Sequence, residues 1–426
     1  MTTKGKDRIR RFVRHNLLFV AVMGMFAVLA AFLIIARVVD EVNTEERQEA
    51  LEPFYTPTDP LPPTGPGLVL KQEDLDVDVP GGRGLRILYL SQLSDGTATV
   101  ASGMVFIPAS PAPEGGRPIV AWAHPTTGMN EQCAPSRRDN PISDMSWLGE
   151  MMQRGWVVTA TDYAGLGTPG VERYLVGRDE ARDVINSVRA ARQLPETAAG
   201  SRYAVWSHSQ GGHAALFTAA ETETYAPELQ LVAVAAAAPA AELPALFNQQ
   251  YQSEAGWVIG PEVLVSWPLV YRDLDIDDMV TSRGMDRYEE LANDCLLEAG
   301  EEAMARNLLK EEFFKSNPMA NASWYAAAVA ETAPPVTGRP VLIIQGLADE
   351  VILPDTTALY VQKSCQAGSD ITTIWLGGID HEKAASTGGP AAVFWLEDRF
   401  NGKPTSPSCG QLMPVNPANP PEAPGS

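Results

Sequence analysis

Ser209 lies at the centre of a segment that can turn its hydroxyl into a nucleophile. The segment Ser207-His208-Ser209-Gln210-Gly211 follows a short apolar run and precedes a helix-like run. A strand, a tight turn with a central serine and a helix form a nucleophile elbow. The turn needs small side chains two residues before and after the serine, and Ser207 and Gly211 meet this need. The pattern predicts acyl chemistry at Ser209; the competing interpretation is a glycine-rich turn capped by serines.

A serine hydroxyl is a poor nucleophile at neutral pH and requires a general base within hydrogen-bond reach. The chain contains 5 histidines, so the base can be sought by elimination. Four of them lie at the N-terminus, beside the serine, in the helix after it and at the end of an early strand (His15, His208, His213 and His124). We expect His208 to point away from Ser209 and His213 to face the sheet. His381 follows a late strand, where the base of such an elbow is found, and is the predicted base.

The base in turn needs an acid that orients it. In the chain order serine, acid, histidine, the acid follows the strand between Ser209 and the base. Asp349 follows the apolar run 341–344 and is our candidate, with Glu350 and Asp355 as alternatives. Asp380 is too close to His381 in the sequence to orient it easily.

A tetrahedral intermediate needs two hydrogen-bond donors for its oxyanion. The backbone N–H of the residue after the nucleophile, Gln210, is one candidate. The other is expected in the loop after the strand-like run 118–123, which contains Thr126-Thr127-Gly128. We assign the second donor to Thr127.

The segment 165–170 fits the pattern G-x-G-x-x-G and follows a strand-like run. In a dinucleotide site a helix opens directly after this pattern and receives the pyrophosphate. Here Pro169 removes a donor, and the next helix-like run begins only near Arg178. We interpret the segment as a structural turn and predict no organic cofactor.

The chain has four cysteines, Cys133, Cys295, Cys365 and Cys409. They form no CxxC pair, so we predict no metal site. Outside the cytoplasm an even number of cysteines favours two disulfides, and the spacing leaves all three pairings open.

Strand-like and helix-like runs alternate along most of the chain. Residues 68–107 alternate apolar and polar side chains, which predicts antiparallel strands. Buried strands are indicated at 118–123, 156–161, 203–206, 229–238, 341–344 and 371–376, and helices at 145–154, 178–193, 356–363 and 384–399. This alternation favours an α/β fold with a mostly parallel sheet flanked by helices. We assign its core to residues 67–243 and 335–412, followed by a tail at 413–426.

Residues 244–334 break the alternation. Helices are indicated at 286–298 and 301–314, and three apolar clusters, expected to be exposed, lie at 257–259, 263–265 and 267–269. We interpret this region as a helical cap inserted over the site. A second packed domain without a gating role would have the same pattern.

The N-terminus is basic, unlike the rest of the chain. Residues 1–16 carry the positive charges, and residues 17–36 form an apolar run long enough for a transmembrane helix. Basic flanks stay in the cytoplasm, which places the following residues outside. A cleaved signal peptide is the competing interpretation, although the bulky residues at 33–35 do not suit a cleavage site. Residues 37–66 are predicted to be a proline-rich linker.

Length and charge restrict the function further. The chain has 426 residues, 45% of them hydrophobic, and a formal net charge of -21. This length suits one large α/β domain with an insertion or two ordinary domains. So acidic a protein repels phosphate backbones, which argues against nucleic acid as a partner.

The sequence resembles the secretory lipases of the lipase A type. The resemblance is carried by Gln132-Cys133-Ala134-Pro135-Ser136, by a strand that ends in Asp162-Tyr163, by the elbow at Ser209, and by the late Asp349 and His381. It covers residues 65–412.

This resemblance implies an α/β-hydrolase core with a helical cap that shapes an acyl-binding tunnel. It implies Ser209 as nucleophile, Asp349 as acid and His381 as base. The family's side-chain oxyanion residue, an aspartate, falls at or near Thr127, where this chain departs from the pattern. The resemblance also implies two disulfides, Cys133 with Cys295 and Cys365 with Cys409.

The sequence thus predicts a Ser-Asp-His enzyme that hydrolyses carboxylic esters, with lipids or long-chain acyl esters as substrates. It places the enzyme outside the cytoplasm, held to the membrane by residues 17–36 or secreted if that segment is cleaved. An acyltransferase that acts on envelope lipids or sugars would use the same acyl-enzyme. A catalytically inactive binding module is the alternative from another functional class.

Overall fold

The computed structural model describes residues 23, 25, 29, 31, 32, 35, 37, 39 and 42–425. The chain divides into two compact units, residues 1–53 and residues 54–426. The predicted basic segment at 1–16 and most of the predicted transmembrane helix at 17–36 lie outside the described residues. The helices that the described residues form are all too short or too polar to cross a bilayer.

Residues 42–53 of the first unit are helical. The linker predicted at 37–66 is therefore not irregular throughout. Its prolines begin only at Pro53, and the residues before them are mostly good helix formers such as glutamate, glutamine, alanine and leucine.

The second unit is built on one sheet of nine strands in the order β1-β2-β3-β5-β4-β6-β7-β8-β9. In chain order the strands are β1 (Val69–Asp74), β2 (Gly82–Gln92), β3 (Ala98–Pro108), β4 (Arg117–Ala123), β5 (Val157–Ala164), β6 (Ala199–His208), β7 (Gln230–Ala237), β8 (Val341–Gly346) and β9 (Ile371–Leu376). The first three strands and the β3–β5 pair are antiparallel. The strands from β4 to β9 are parallel, which confirms the predicted mostly parallel sheet.

Helices cover both faces of this sheet. The α-helices of the second unit are α1 (Leu148–Gln153), α2 (Gly177–Gln193), α3 (Gln210–Tyr225), α4 (Leu243–Gln250), α5 (Glu254–Ser266), α6 (Ser282–Met285), α7 (Tyr288–Asn293), α8 (Leu296–Leu308), α9 (Ala322–Ala330), α10 (Pro354–Gln366) and α11 (His381–Phe400). Successive residues of a strand point to opposite faces, so the apolar strands feed two large hydrophobic clusters. In one of them Val184, Ile185 and Val188 of α2 pack against the sheet.

Helices α4 to α9 lie between β7 and β8, and we call residues 244–334 the insert. The helix bounds predicted there are wrong, because the chain leaves the helix at Asp294 and Cys295 to meet the loop after β4. The N–H of Met129 donates to the carbonyl of Ala292 over 2.9 Å, and the N–H of Leu296 donates to the carbonyl of Thr127 over 3.0 Å.

The apolar clusters of the insert, predicted to be exposed, are largely buried. Trp257, Leu264 and Trp267 are each no more than 3% exposed, while Leu269 is 45% exposed. Trp267 stacks on Trp324 with ring centroids 6.1 Å apart, and both belong to the hydrophobic cluster that also contains strand residues such as Trp122. Burial of these apolar clusters explains why aromatic residues are dense in the insert. Sequence periodicity does not reveal this burial.

Two disulfides connect distant parts of the chain. Cys133 pairs with Cys295 across 162 residues, and Cys365 pairs with Cys409 across 44 residues, as the resemblance implied. The first joins the insert to the loop that follows β4. In the chain-entropy model a loop of this length stabilises the folded state by about 4–5 kcal/mol. Disulfides form in oxidising compartments, which agrees with a protein that acts outside the cytoplasm.

Candidate active site

Ser209 lies at the sharp turn between β6 and α3. Its backbone is left-handed, with φ 55° and ψ -119°, and its N–H donates to the carbonyl of Ala237 over 3.0 Å. A non-glycine residue in this region is strained and persists only where the surroundings fix it. A Cβ on Gly211 would lie 2.0 Å from the carbonyl oxygen of Ala123, so glycine is required there. The predicted turn between strand and helix is therefore present, with the serine at its apex.

Ser209, His381 and Asp349 are joined by hydrogen bonds. The Oγ of Ser209 lies 2.9 Å from Nε2 of His381, and Nδ1 of His381 lies 2.9 Å from Oδ2 of Asp349. The three residues are 6%, 7% and 3% exposed. Because the carboxylate only accepts, Nδ1 carries the proton and Nε2 is left to accept from the serine hydroxyl. This is the tautomer that proton abstraction from Ser209 requires.

Asp349 is held firmly by its own loop. Its Oδ1 accepts from the N–H groups of Val351 and Ile352 over 2.9 Å and 2.8 Å. Gln345, at the end of β8, donates to Oδ2 over 3.1 Å. The alternative acid Glu350 is exposed, so Asp349 is the carboxylate that the fold presents to the imidazole.

His381 is the first residue of α11, and its position depends on a cap. Asp380 accepts from the N–H of Lys383 over 3.0 Å and thereby caps the helix. A side-chain acceptor at this position satisfies a backbone donor that the helix leaves unpaired. Asp380 thus serves the helix that carries His381 rather than the imidazole itself.

His208 contradicts the sequence prediction, because it points towards the site. Its Nε2 donates to the backbone carbonyl of His381 over 3.1 Å, and the two rings lie 4.7 Å apart. Burial lowers the pKa of His208 well below its ordinary value, and the charge of His381 lowers it further. A neutral ring therefore packs against His381. Alternation along a strand could not predict the direction of the His208 side chain, because β6 ends at His208 and the elbow turn follows.

His213 also departs from the prediction that it faces the sheet. Its Nδ1 lies 3.1 Å from the carboxylate of Glu180, and its Nε2 donates to the carbonyl of Glu331 over 2.7 Å. Burial is the largest single effect and lowers the pKa of His213. The hydrogen bonds and charges of Glu180 and Glu331 together outweigh burial, so the pKa is raised. His213 thus belongs to a buried polar network behind the elbow.

Of the two candidate oxyanion residues, Gln210 lines a cavity together with Ser209, whereas Thr127 lines an adjoining groove. Gln210 begins α3, so its backbone N–H is one of the unpaired donors at a helix N-terminus. Thr127 is buried, and among residues 42–425 its Oγ1 has no hydrogen-bond partner. A buried hydroxyl without a hydrogen-bond partner is unfavourable, unless a bound ligand supplies that partner.

The segment 165–170 forms a packed turn. The N–H of Gly165 donates to Oγ1 of Thr168 over 3.2 Å, and that hydroxyl donates to the carbonyl of Val100 over 2.8 Å. A Cβ on Gly165 would lie 2.5 Å from Val171, so neighbouring backbone fills the space that a pyrophosphate would need. This favours the structural interpretation of the glycine pattern.

Ser209 and His381 line a cavity of about 320 Å³. Its wall on the side of the insert is apolar and includes Leu246, Val258 and Ile259. Leu246 and Ile259 also line a smaller apolar cavity of about 30 Å³ within the insert. A groove of about 860 Å³ adjoins this cavity, shares Thr126 and His208 with it, and carries charged residues such as Arg138 and Asp144. The site therefore opens from the cavity at Ser209 into a wider groove.

Comparison with known proteins identifies the family. Residues 142–408 match the model of the secretory lipase family. The chain belongs to the secretory lipase family. A protein named as a probable inactive lipase of Mycobacterium tuberculosis is 26% identical over 395 residues, which cover 84% of this chain and 86% of that protein. Lipase A of Arthroderma benhamiae is 24% identical over 401 residues, which cover 84% of this chain and 81% of that protein.

The fold of this secretory lipase family member is also found in solved structures. The crystal structure of Candida antarctica lipase A matches with a TM-score of 0.69 at 18% identity, covering 85% of this chain and 89% of that one. The predicted α/β-hydrolase fold is thus confirmed. The family supports hydrolysis of carboxylic esters as the activity of the chain.

Proposed function

We propose that this secretory lipase family member hydrolyses carboxylic esters through an acyl-enzyme on Ser209. The observation that carries the proposal is the unbroken hydrogen-bonded series from Ser209 through His381 to Asp349. A serine, an imidazole and a carboxylate in this arrangement make a nucleophile, a general base and the group that orients the base.

The reaction would proceed in two halves. His381 takes the hydroxyl proton as Oγ of Ser209 attacks the ester carbonyl, and the backbone N–H of Gln210 and a donor at Thr127 receive the oxyanion. The C–O bond to the alcohol then breaks, and His381 returns its proton to the departing alcohol. Water, activated by His381, attacks the acyl-enzyme and releases the acid and the free serine.

The relative named as inactive makes covalent labelling the direct test. A fluorophosphonate is expected to form an adduct on Ser209, located by mass spectrometry of the digested protein, because the probe reacts with serines activated by a neighbouring base. Heat-denatured protein is the control and should not react. A native protein without an adduct on Ser209 would favour the inactive binding module.

We further propose that the insert is a cap and that the acyl chain lies against its apolar wall. Leu246 and Ile259 line both the cavity of Ser209 and the inner apolar cavity, which gives an acyl chain an apolar path away from the serine. The wider groove that adjoins the cavity would then receive the alcohol portion.

Chain length should therefore control turnover. Each buried methylene contributes about 0.8 kcal/mol, so kcat/KM for p-nitrophenyl octanoate is expected to exceed that for the acetate by about tenfold or more. Ile259→Trp should shift the optimum towards shorter chains, whereas Leu269→Trp, at an exposed position of the same insert, should leave it unchanged. Equal kcat/KM for all esters from acetate to palmitate would contradict the acyl site.

A further inference from the structure

A group of buried carboxyl side chains lies behind the elbow and has no part in the proposed proton transfer. It includes Glu172 and Glu180 before and within α2, Glu262 of α5, and Glu331 after α9. None of the four is more than 5% exposed. Buried carboxyl groups are unfavourable unless they are neutralised or hydrogen-bonded, so their concentration at one place calls for a role.

Two of these carboxyl groups hold the side chain of Gln210. Its Nε2 donates to Oε1 of Glu172 and to Oε1 of Glu180, over 2.8 Å in each case. Glu180 is itself fixed, since Oε1 also accepts from the N–H of Leu175 over 2.9 Å. The residue whose N–H we assign to the oxyanion is therefore anchored through its side chain.

Tyr174, two residues after Glu172, holds the loop that follows β4. Its hydroxyl lies 2.9 Å from Oγ1 of Thr126, next to the second candidate oxyanion residue, Thr127. Burial raises the pKa of Tyr174, and the negative charge of the nearby Glu262 raises it further. The segment 172–174 thus contacts the elbow through one side chain and the oxyanion loop through another.

We propose that Glu172 and Tyr174 are positioning residues that fix the two parts of the oxyanion hole relative to each other. The inference rests on the proposed function, because it assigns a role to that same site. Glu172 acts through Gln210, and Tyr174, which also lines the cavity of Ser209, acts through Thr126.

Charge adds a second effect of the same residues. Burial raises the pKa of Glu172 well above its ordinary value, and so does the neighbouring Glu262. Burial likewise raises the pKa of Glu262. The polar and titratable groups that act on the pair are Gln210 of α3, Glu180 and Asp183 of α2, Tyr163 and Tyr174.

The neutral forms of Glu172 and Glu262 therefore persist above the ordinary pKa of a glutamate and are lost as the pH rises through the raised values. Ionisation would place negative charge behind the developing oxyanion and oppose it. We expect kcat to fall reversibly on the alkaline side for this reason.

A double-mutant cycle in the full chain tests the positioning role. Tyr174→Phe and Thr126→Val are each expected to lower kcat for p-nitrophenyl octanoate by about tenfold or more, while KM changes by less than about twofold. Because both remove the same hydrogen bond, the double variant should lose no more than the worse single variant. Losses that multiply in the double variant, or a Tyr174→Phe protein with the parental kcat, would overturn the proposal.

The pH dependence of Glu172→Gln and Glu262→Gln tests the charge effect. A glutamine at 172 still accepts from Gln210 but cannot ionise, so each variant should keep kcat near neutral pH within about threefold and extend activity to higher pH by about one unit or more. Glu242→Gln is the matched control, since Glu242 is buried but pairs with Lys363 over 2.7 Å. An alkaline fall unchanged in both variants would overturn this part.

Fluorophosphonate labelling of the parent protein separates the two levels of inference. A parent that is not labelled on Ser209 would remove the proposed function. A parent that is labelled and active, with Tyr174→Phe and Thr126→Val variants that keep its kcat, would remove only the positioning role.

Discussion

A Ser209→Ala protein is expected to lose ester hydrolysis by a factor of about 10⁵ or more in kcat, as removal of an activated serine does in other enzymes of this mechanism. The methyl group leaves His381 without a hydroxyl to deprotonate and the ester without an attacking atom. Since the side chain is 6% exposed and small, the fold should be retained. Hydrolysis of p-nitrophenyl octanoate, with the melting temperature as a check on folding, measures the effect.

Ser207→Ala is the matched control for this variant. Ser207 lies two residues earlier on β6, is fully buried, and donates to the carbonyl of Ala235 over 3.0 Å. Its hydroxyl is therefore engaged by the sheet, and alanine keeps the small side chain that the elbow needs. Its kcat should stay within about threefold of the parent, since one neutral hydrogen bond contributes about 1 kcal/mol to stability. A Ser209→Ala protein that hydrolyses the ester at the parental rate would refute the acyl-enzyme.

The sequence predicted the parts of the site that depend on local chain geometry. The elbow could be found because its turn restricts residues within two positions of Ser209, and Gly211 indeed leaves no room for a Cβ. Asp349 and His381 could be found because parallel strands bring their carboxyl ends to one edge of the sheet. Chain order alone therefore indicated which side chains would meet.

The contacts that depend on packing between distant segments could not be predicted. His208 approaches His381 only because α11 begins beside the elbow, and no spacing in the sequence records this. Glu172 and Glu262 are each 2% exposed, although no pattern in the sequence marks either as buried. The break at Cys295 likewise follows from hydrogen bonds with the loop after β4, which override the helical propensity of the residues around it.

The distribution of apolar residues along the sequence was least informative for the insert. Its clusters around Trp257 and Trp267 have no period that distinguishes an exposed acyl-binding face from a small apolar core. In the structure Trp267 is buried, whereas Val258 and Ile259 line the cavity of Ser209. Apolar composition predicted burial in general but not which surface each side chain would face.

Asp349→Asn is expected to lower kcat by about 10⁴-fold with little change in KM, the size of effect seen when a triad aspartate becomes an asparagine elsewhere. The amide oxygen must take the place of Oδ1, because the N–H groups of Val351 and Ile352 both donate there. The NH₂ group then occupies the place of Oδ2 and faces Nδ1 of His381. Two donors cannot meet, so the imidazole moves its proton to Nε2 and can no longer accept from Ser209.

Glu350→Gln is the control, because Glu350 is the adjacent carboxylate and was the alternative acid in the sequence. It is exposed, so its substitution should leave kcat within about twofold of the parent, as is usual for surface changes. For both variants kcat and the rate of fluorophosphonate labelling are measured. Asp349→Asn should lower the labelling rate as well, because Nε2 of His381 can then no longer accept the proton of Ser209. If Glu350→Gln were inactive and Asp349→Asn retained the parental kcat, the orienting acid would be Glu350, and the loop after β8 would have to rearrange to present it.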